Sequence, residues 1–197
     1  MNEKDSRLEQ PAGKEKWTLR RLWKEYGDVV VILAVVFVMF RFVLQVAWVP
    51  SGSMETTIPT KSAMIGWRLP FAVSDPVPQR GDIITFWSDE LDQVLVKRVI
   101  GLPNDEVSFS DGYVYINGEK LEEEYLPALG ITECDETFVV PEGSVFFLGD
   151  NRTGSLDARF WADPYVPVEA LQARPFLAIS IGRDQCWQGV RFLHREG

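Results

Sequence analysis

Residues 29–54 read VVVILAVVFVMFRFVLQVAWVPSGSM, and they decide how the chain divides. The first twenty-one are apolar apart from Arg41 and Gln45. As a helix rising ~1.5 Å per residue, they match a hydrocarbon core of ~30 Å. The uninterrupted apolar part, residues 29–40, is too short to cross. The helix is therefore expected to run past Arg41, whose guanidinium can snorkel towards headgroups, with Trp48 at the far interface. The stretch is too long for a cleavable leader, and no small-x-small cleavage site follows it. The alternative is a helix buried in a protein core. Pro50-Ser51-Gly52-Ser53-Met54 then leaves the apolar run as a small, hydroxyl-bearing turn. Pro50 fixes the backbone, and Gly52 permits a tight bend beside Ser53. Alone, such a turn is most often a linker, and a mount for an exposed nucleophile is the other reading.

Upstream, residues 1–16 are polar and expected to be disordered. Residues 17–26 are amphipathic and basic, fit to lie on a negative membrane surface. Lys14, Lys16, Arg20, Arg21 and Lys24 crowd this flank. The positive-inside rule then places the N-terminus in the cytoplasm and everything after residue 49 outside. The expected organisation is a cytoplasmic basic segment (1–28), a transmembrane helix (29–49) and an extracytoplasmic domain (50–197). Residues 1–28 hold seven basic and six acidic side chains, whereas beyond Arg41 there are 12 basic and 23 acidic ones. A net charge of −9 argues against a nucleic-acid partner. Cys134 and Cys186 form no CxxC or His/Cys cluster, so no metal site is expected. Outside the cytoplasm they are able to pair, but a chain of this size does not need the bond. The single histidine, His194, is three residues from the end, which leaves a Ser-His-Asp triad dependent on a frayed terminus.

Downstream the pattern is β. Residues 83–87 and 95–100 are β-branched or aromatic runs. Residues 106–110 and 113–116 flank Asp111-Gly112, a two-residue hairpin signal, and Asn117-Gly118 is another turn. Residues 138–140, 145–148 and 177–181 are further strands, with prolines between them. Residues 168–173 are read as a turn or two of helix. The fold expected is mostly β: an antiparallel, β-rich domain with long loops behind one transmembrane helix.

Two further stretches carry candidate chemistry. In Leu95-Val96-Lys97-Arg98-Val99-Ile100-Gly101 the side chains alternate, so one of the two basic residues must point among apolar neighbours. A lysine so held has its pKa lowered and can act as a general base for a serine. A lysine on a solvated edge is the plainer reading. Gly149-Asp150-Asn151-Arg152-Thr153-Gly154-Ser155-Leu156-Asp157-Ala158-Arg159 is a sharp polar turn after an apolar strand. Its arginines can pair with Asp150 and Asp157 and fix the loop; a charged surface loop has the same composition.

PSGSM, RGDII (residues 80–84), VKRVIGLPNDEV (96–107) and GDNRTGSLDAR, in this order after one apolar helix, resemble bacterial type I signal peptidases. These are membrane-bound serine/lysine endopeptidases that cut signal peptides from exported preproteins at the outer membrane face. The resemblance runs from the apolar helix to about Arg159. It implies Ser53 as nucleophile, Lys97 as general base and Ser51 as an oxyanion-hole hydroxyl. Ser155 would orient Lys97; Asp157 and Arg159 would brace its loop, with Asp150 in support, and Met54 would lie near the substrate cleft. No cofactor or metal is implied. The partners implied are signal peptides and the lipid bilayer, and the location is the cell membrane. Two positions depart from the family pattern. Thr56 stands where proline is usual, loosening the turn, and Ala158 replaces a serine, removing one hydrogen bond near the base.

Two rivals carry other functions: an inactive membrane-tethered module that binds exported chains, and a self-cleaving serine/lysine protease. The latter would be preceded by a DNA-binding helical domain, where here an apolar helix stands. Trp67-Arg68-Leu69-Pro70-Phe71-Ala72-Val73 is too apolar for an ordinary loop and too irregular for a helix. It is expected either to dip into the outer headgroups or to pack on the β core.

Overall fold

In the computed structural model, residues 19–73, 78–127, 131–180 and 188–194 are described. Helix α1, Leu19–Val38, continues as a single π-helical stretch, Met39–Val43. Together they supply an apolar span, Leu22–Val43, that is long enough to cross a bilayer and fits a membrane-anchored protein. The helix stops there. Leu44–Val49 is a strand, β1, antiparallel to β2 (Ser62–Trp67), with Leu44 opposite Trp67 and Val49 opposite Ser62. This corrects the expectation of a helix through residue 49. The reason is Gln45, whose amide donates to Gln172 Oε1 at 3.1 Å and whose carbonyl accepts from the Thr85 hydroxyl at 2.6 Å. Lipid offers no such partners. Val46 and Trp48 face out while Val49 is buried, the period-two pattern of a strand.

Short helix α2, Leu69–Val73, follows β2, so residues 67–73 do contain a helical turn, contrary to the sequence reading. Leu69 and Val73 are exposed, whereas Phe71 packs against the main core. Next come β3 (Ile83–Ser88), β4 (Gln93–Gly101), β5 (Glu106–Ser110), β6 (Tyr113–Ile116) and β7 (Glu119–Lys120). They are followed by β8 (Phe138–Val139), β9 (Ser144–Leu148) and β10 (Tyr165–Pro167). Of the turn or two read over residues 168–173, one forms, a 3-10 turn at Val168–Ala170. Leu171 already begins β11 (Leu171–Ser180), and β12 (Gly189–Phe192) completes the strands.

All strand pairings are antiparallel. The larger sheet runs β1-β2-β11-β3-β4-β9-β10, with β12 also on β11; the smaller runs β7-β6-β5-β8. β11 holds the larger sheet together by changing partner. Its first residues pair with β3 and its last with β12, and register shifts at Leu171/Ala173 and Pro175/Leu177 absorb the change. The main core gathers Phe86, Phe146, Phe147 and Trp161 with side chains of both sheets. A second apolar cluster, Val49, Met54, Ile58, Met64, Ile83, Ala178 and Leu193, lies under the turn that follows β1. Strand β4 crosses the middle of the larger sheet and carries Lys97 and Arg98 into the interior. Cys134 is half-buried; its possible partner, Cys186, lies outside the described residues.

Candidate active site

The turn after β1 is built downwards from its carbonyls. The Glu55 N–H donates to Gly52 O at 3.0 Å, those of Thr57 and Ile58 donate to Met54 O, and the Lys61 N–H returns to Val49 O at 2.8 Å. Met54 and Ile58 are fully enclosed in the second core cluster and anchor the turn from below. Met54, expected near the substrate cleft, is fully enclosed beside Ser53. Ser51 is exposed and Ser53 half-buried. Both line a cleft of about 140 Å³, walled by Ala47 and Val49 of β1 and by Leu95 and Val96 of β4.

The loop after β9 meets this turn edge to edge. The Asn151 N–H donates to Ser53 O at 3.0 Å, and its side-chain amide donates to Gly52 O at 2.9 Å. Gly149 makes the contact possible. A Cβ there would stand 2.4 Å from Ser53 O and 2.1 Å from Ser155 Oγ, distances no side chain tolerates. The Ser53 peptide and the Ser155 hydroxyl therefore meet over Gly149. Lys97 completes the cluster: its Nζ donates to Ser155 Oγ at 2.9 Å. Ser53 and Ser155 meet at one glycine, and Lys97 joins them through the Ser155 hydroxyl, the three being 44 and 58 residues apart along the chain.

Lys97 is 2% exposed, and its pKa falls to about 8. Burial is the main cause, because removing water disfavours the ammonium. The charge of Asp157 draws the pKa back up, that of Arg159 pushes it down, and that of Asp150 raises it again. The hydroxyl of Ser155 is the one hydrogen-bond partner of Lys97 Nζ among the described residues.

Both carboxylates near Lys97 are engaged elsewhere. Asp157 accepts from Arg159 Nε at 2.8 Å and from the Gly149 N–H at 3.0 Å. Asp150 takes a two-pronged contact from Arg98, at 2.9 and 2.7 Å, and the Thr57 hydroxyl at 2.5 Å. Of the pairings the loop's composition allows, Arg159 with Asp157 is formed, while Asp150 is held by Arg98 of β4. Arg152, read from sequence as a partner of Asp150 or Asp157, binds Glu123 instead, and Glu123 and Tyr125 were not identified from sequence. Arg98 is fully buried, donates to Gly81 O at 2.9 Å and lies 3.6 Å from the centre of the Tyr125 ring. The Tyr125 hydroxyl donates to Glu123 at 2.5 Å, and burial together with the adjacent Glu123 pushes its pKa up. Glu123 also pairs with Arg152, which in turn donates to Thr132 and to Gly149 O. Residues 121–127 read as a solvated acidic run. The alternation of Lys97 with Arg98 was the one available signal for the network.

The two departures have structural counterparts. Thr56 has φ +84°, a left-handed backbone that proline, fixed near ~−65°, cannot adopt. Its carbonyl accepts from Arg191 of β12 at 3.3 Å. Ala158 is completely enclosed and packs in the main apolar core.

The family model described as signal peptidase, peptidase S26, matches residues 23–179. A probable signal peptidase I-2 from Synechocystis is 35% identical over 162 residues, covering 79% of this chain and 72% of its own. A signal peptidase I from Pseudomonas aeruginosa is 30% identical over 205 residues, covering 84% and 72% respectively. A solved signal peptidase I from Enterococcus faecalis is 35% identical and covers 51% of this chain and 98% of its own, with a TM-score of 0.45.

Proposed function

This chain belongs to the signal peptidase family, peptidase S26, and we propose that it cuts signal peptides from exported preproteins with Ser53 as nucleophile and Lys97 as base. The observation that carries the reading is the buried Lys97, held by a neutral hydroxyl and brought with Ser155 to the Ser53 peptide across Gly149. The free amine of Lys97 takes the Ser53 Oγ proton as the oxygen attacks the scissile carbonyl. The resulting oxyanion accepts hydrogen bonds from the Ser53 N–H and the Ser51 hydroxyl. The tetrahedral adduct collapses, the C–N bond breaks, and the Lys97 ammonium returns its proton to the departing amine. The Ser53 ester is then attacked by water, deprotonated by the same amine, which releases the acid and restores Ser53. Ser155 keeps the lysine aimed through both halves.

The cleft also supports a mode of substrate binding. Among the described residues β1 is paired on one side only, and it leads directly into Ser51 and Ser53. An extended signal peptide adding to this edge would place its residues against a cleft of about 140 Å³, which accommodates small side chains next to the cut. The apolar span Leu22–Val43 crosses the membrane, with the basic N-terminal flank in the cytoplasm and the β domain outside.

The test is cleavage of a synthetic preprotein by the full chain in detergent. Parent protein releases the mature fragment; Ser53→Ala and Lys97→Met, folded by circular dichroism, do not. A Lys97→Met protein that still cleaves would overturn the dyad. A reporter active only outside the cytoplasm, fused after Gly197, should function; silence there, with activity of a cytoplasm-only reporter, would reverse the topology.

A further inference from the structure

The apolar span ends inside a groove. Its 22 residues, Leu22–Val43, cover about 33 Å as a helix, close to the ~30 Å of a hydrocarbon core. Arg41 and Phe42, at its final turn, line a groove of about 700 Å³ together with Arg68, Trp87, Asp89 and Glu169. The groove keeps its shape because the Arg68 N–H donates to Val43 O at 2.8 Å, tying the β2–α2 corner to the end of the span. Arg41 is exposed with its guanidinium 5.2 Å from the Phe42 ring centre; Arg68 is half-buried. Neither forms an ion pair with a carboxylate among the described residues. Phe42 and Trp87 are exposed shoulders.

We propose that this groove holds the phosphate of a bilayer phospholipid, with Arg41 and Arg68 as its donors; the proposal rests on the reading that Leu22–Val43 spans the membrane. Covalent position fixes the depth. If Val43 ends the hydrocarbon crossing, Arg41 and the groove that it lines stand at the level of the headgroups. Guanidinium is the side chain best suited to bind a phosphodiester through two parallel N–H bonds. The aromatic shoulders suit the glycerol and upper acyl carbons at that interface.

The carboxylates in the groove discriminate between lipid and free anion. Asp89 accepts the Trp87 indole N–H at 2.9 Å, and Glu169 lines the same wall. They balance the two arginines in formal charge, so a lone phosphate ion gains little by leaving water. A lipid phosphate is already held at this depth by its acyl chains and needs only the directional bonds. This also separates the groove from the active site: none of its residues belongs to the Ser53–Lys97 cluster, so losing the lipid contact need not alter the chemistry.

The experiment is native mass spectrometry of the full chain released from detergent micelles, with dimyristoyl phosphatidylglycerol, dimyristoyl glycerol or inorganic phosphate added. The parent chain should retain one phosphatidylglycerol and neither of the other probes. The doubly substituted Arg41→Gln/Arg68→Gln chain should retain at least tenfold less, while Lys120→Gln, on the smaller sheet, should match the parent. Unchanged circular dichroism and peptide cleavage in the double variant show that the fold has survived. Equal retention by the double variant overturns the proposal. So does equal retention of dimyristoyl glycerol, which would assign binding to the acyl chains alone, or stoichiometric binding of inorganic phosphate. Alkaline carbonate washing of membranes tests the underlying reading separately: chain recovered in the wash removes the depth argument, and the proposal with it.

Discussion

Lys97→Met should make the protein inactive and more stable, with a gain that depends on pH. In the folded chain the Lys97 pKa falls from 10.5 to about 8. At ~1.4 kcal/mol per unit, holding the charged form in the folded state at neutral pH costs about 3 kcal/mol. Methionine keeps the length of the stem but cannot meet the Ser155 hydroxyl now bonded at 2.9 Å. Leaving that buried hydroxyl unpaired offsets the gain by ~1 kcal/mol. The net expectation is about 2 kcal/mol of added stability, or roughly 4–8 °C in Tm for a chain of this size. The sign follows from proton counting. Between about 8 and 10.5 the unfolded chain binds more protons than the folded one, so the parent gains stability as pH rises through that window. Below it the penalty is complete. The advantage of Lys97→Met should therefore be flat below about pH 8, shrink above it, and turn into a small deficit near the unfolded lysine's pKa. Thermal unfolding of the full chain in detergent, followed by near-ultraviolet circular dichroism across this range, measures it. An advantage of the same size at both ends would show that the titration of Lys97 is not its source. No advantage at neutral pH would show that the lysine is not strained by burial.

The same value sets the pH–rate profile: kcat/KM should climb with pH to a plateau above about 8, because only the free amine accepts the serine proton; a profile flat from pH 6 would exclude Lys97 as the base. Ser51→Ala should fold normally and lose roughly a hundred- to a thousandfold in kcat, with Ser51→Thr retaining more; turnover at the parental rate would remove Ser51 from the oxyanion hole. Gly149→Ala should be destabilised and inactive, since its methyl would fall 2.1 Å from Ser155 Oγ and 2.4 Å from Ser53 O; a well-folded, active variant would show that the two loops are not in register over this glycine. Glu123→Gln removes the ion-pair partner of the Arg152 guanidinium, 1% exposed, and should cost about 3 kcal/mol in urea unfolding; a change below ~0.5 kcal/mol would mean that Arg152 finds another partner.

The hairpin at Asp111-Gly112 and the strands either side of it were legible because their signals are local: alternation, β-branching and a turn dipeptide. Other elements were hidden by the same rules. β1 is apolar enough to pass for membrane helix, and only Gln45 betrayed it, being a polar side chain whose partners lie 40 and 127 residues away. The first half of β11 was masked by Pro175, which breaks a strand pattern in sequence but is tolerated here at a register shift. Of the site, Ser53 and Lys97 could be proposed because the resemblance assigns them. Glu123 and Tyr125 could not, since Leu121-Glu122-Glu123-Glu124-Tyr125 looks solvated until Arg152 arrives from 29 residues downstream.

Lys97 and Arg98 are adjacent on β4 and both are buried, yet the structure treats their charges oppositely. Arg98 is given a full set of partners: both oxygens of Asp150, the Gly81 carbonyl and the face of Tyr125. A guanidinium so saturated holds Asp150 against Thr57 on the turn that carries Ser53. Lys97 is given a hydroxyl and, among the described residues, no carboxylate within bonding distance. Had Asp157 or Asp150 been released to it, the ion pair would have favoured the ammonium and returned the pKa towards 10.5 or above. At that value about one lysine in three thousand would carry a free amine at pH 7, against about one in ten at a pKa of 8. Arg159 prevents this by occupying Asp157, and Arg98 by occupying Asp150. Arg159 also adds its own charge to the burial that lowers Lys97. The two ion pairs flanking the lysine therefore act less as sources of stability than as means of withholding counter-charge from it. Asp157→Asn should accordingly lower the Lys97 pKa further and move the rising limb of the pH–rate profile to lower pH, even as the freed Arg159 weakens the loop; a limb that stays in place would show that Asp157 does not act on the lysine through charge.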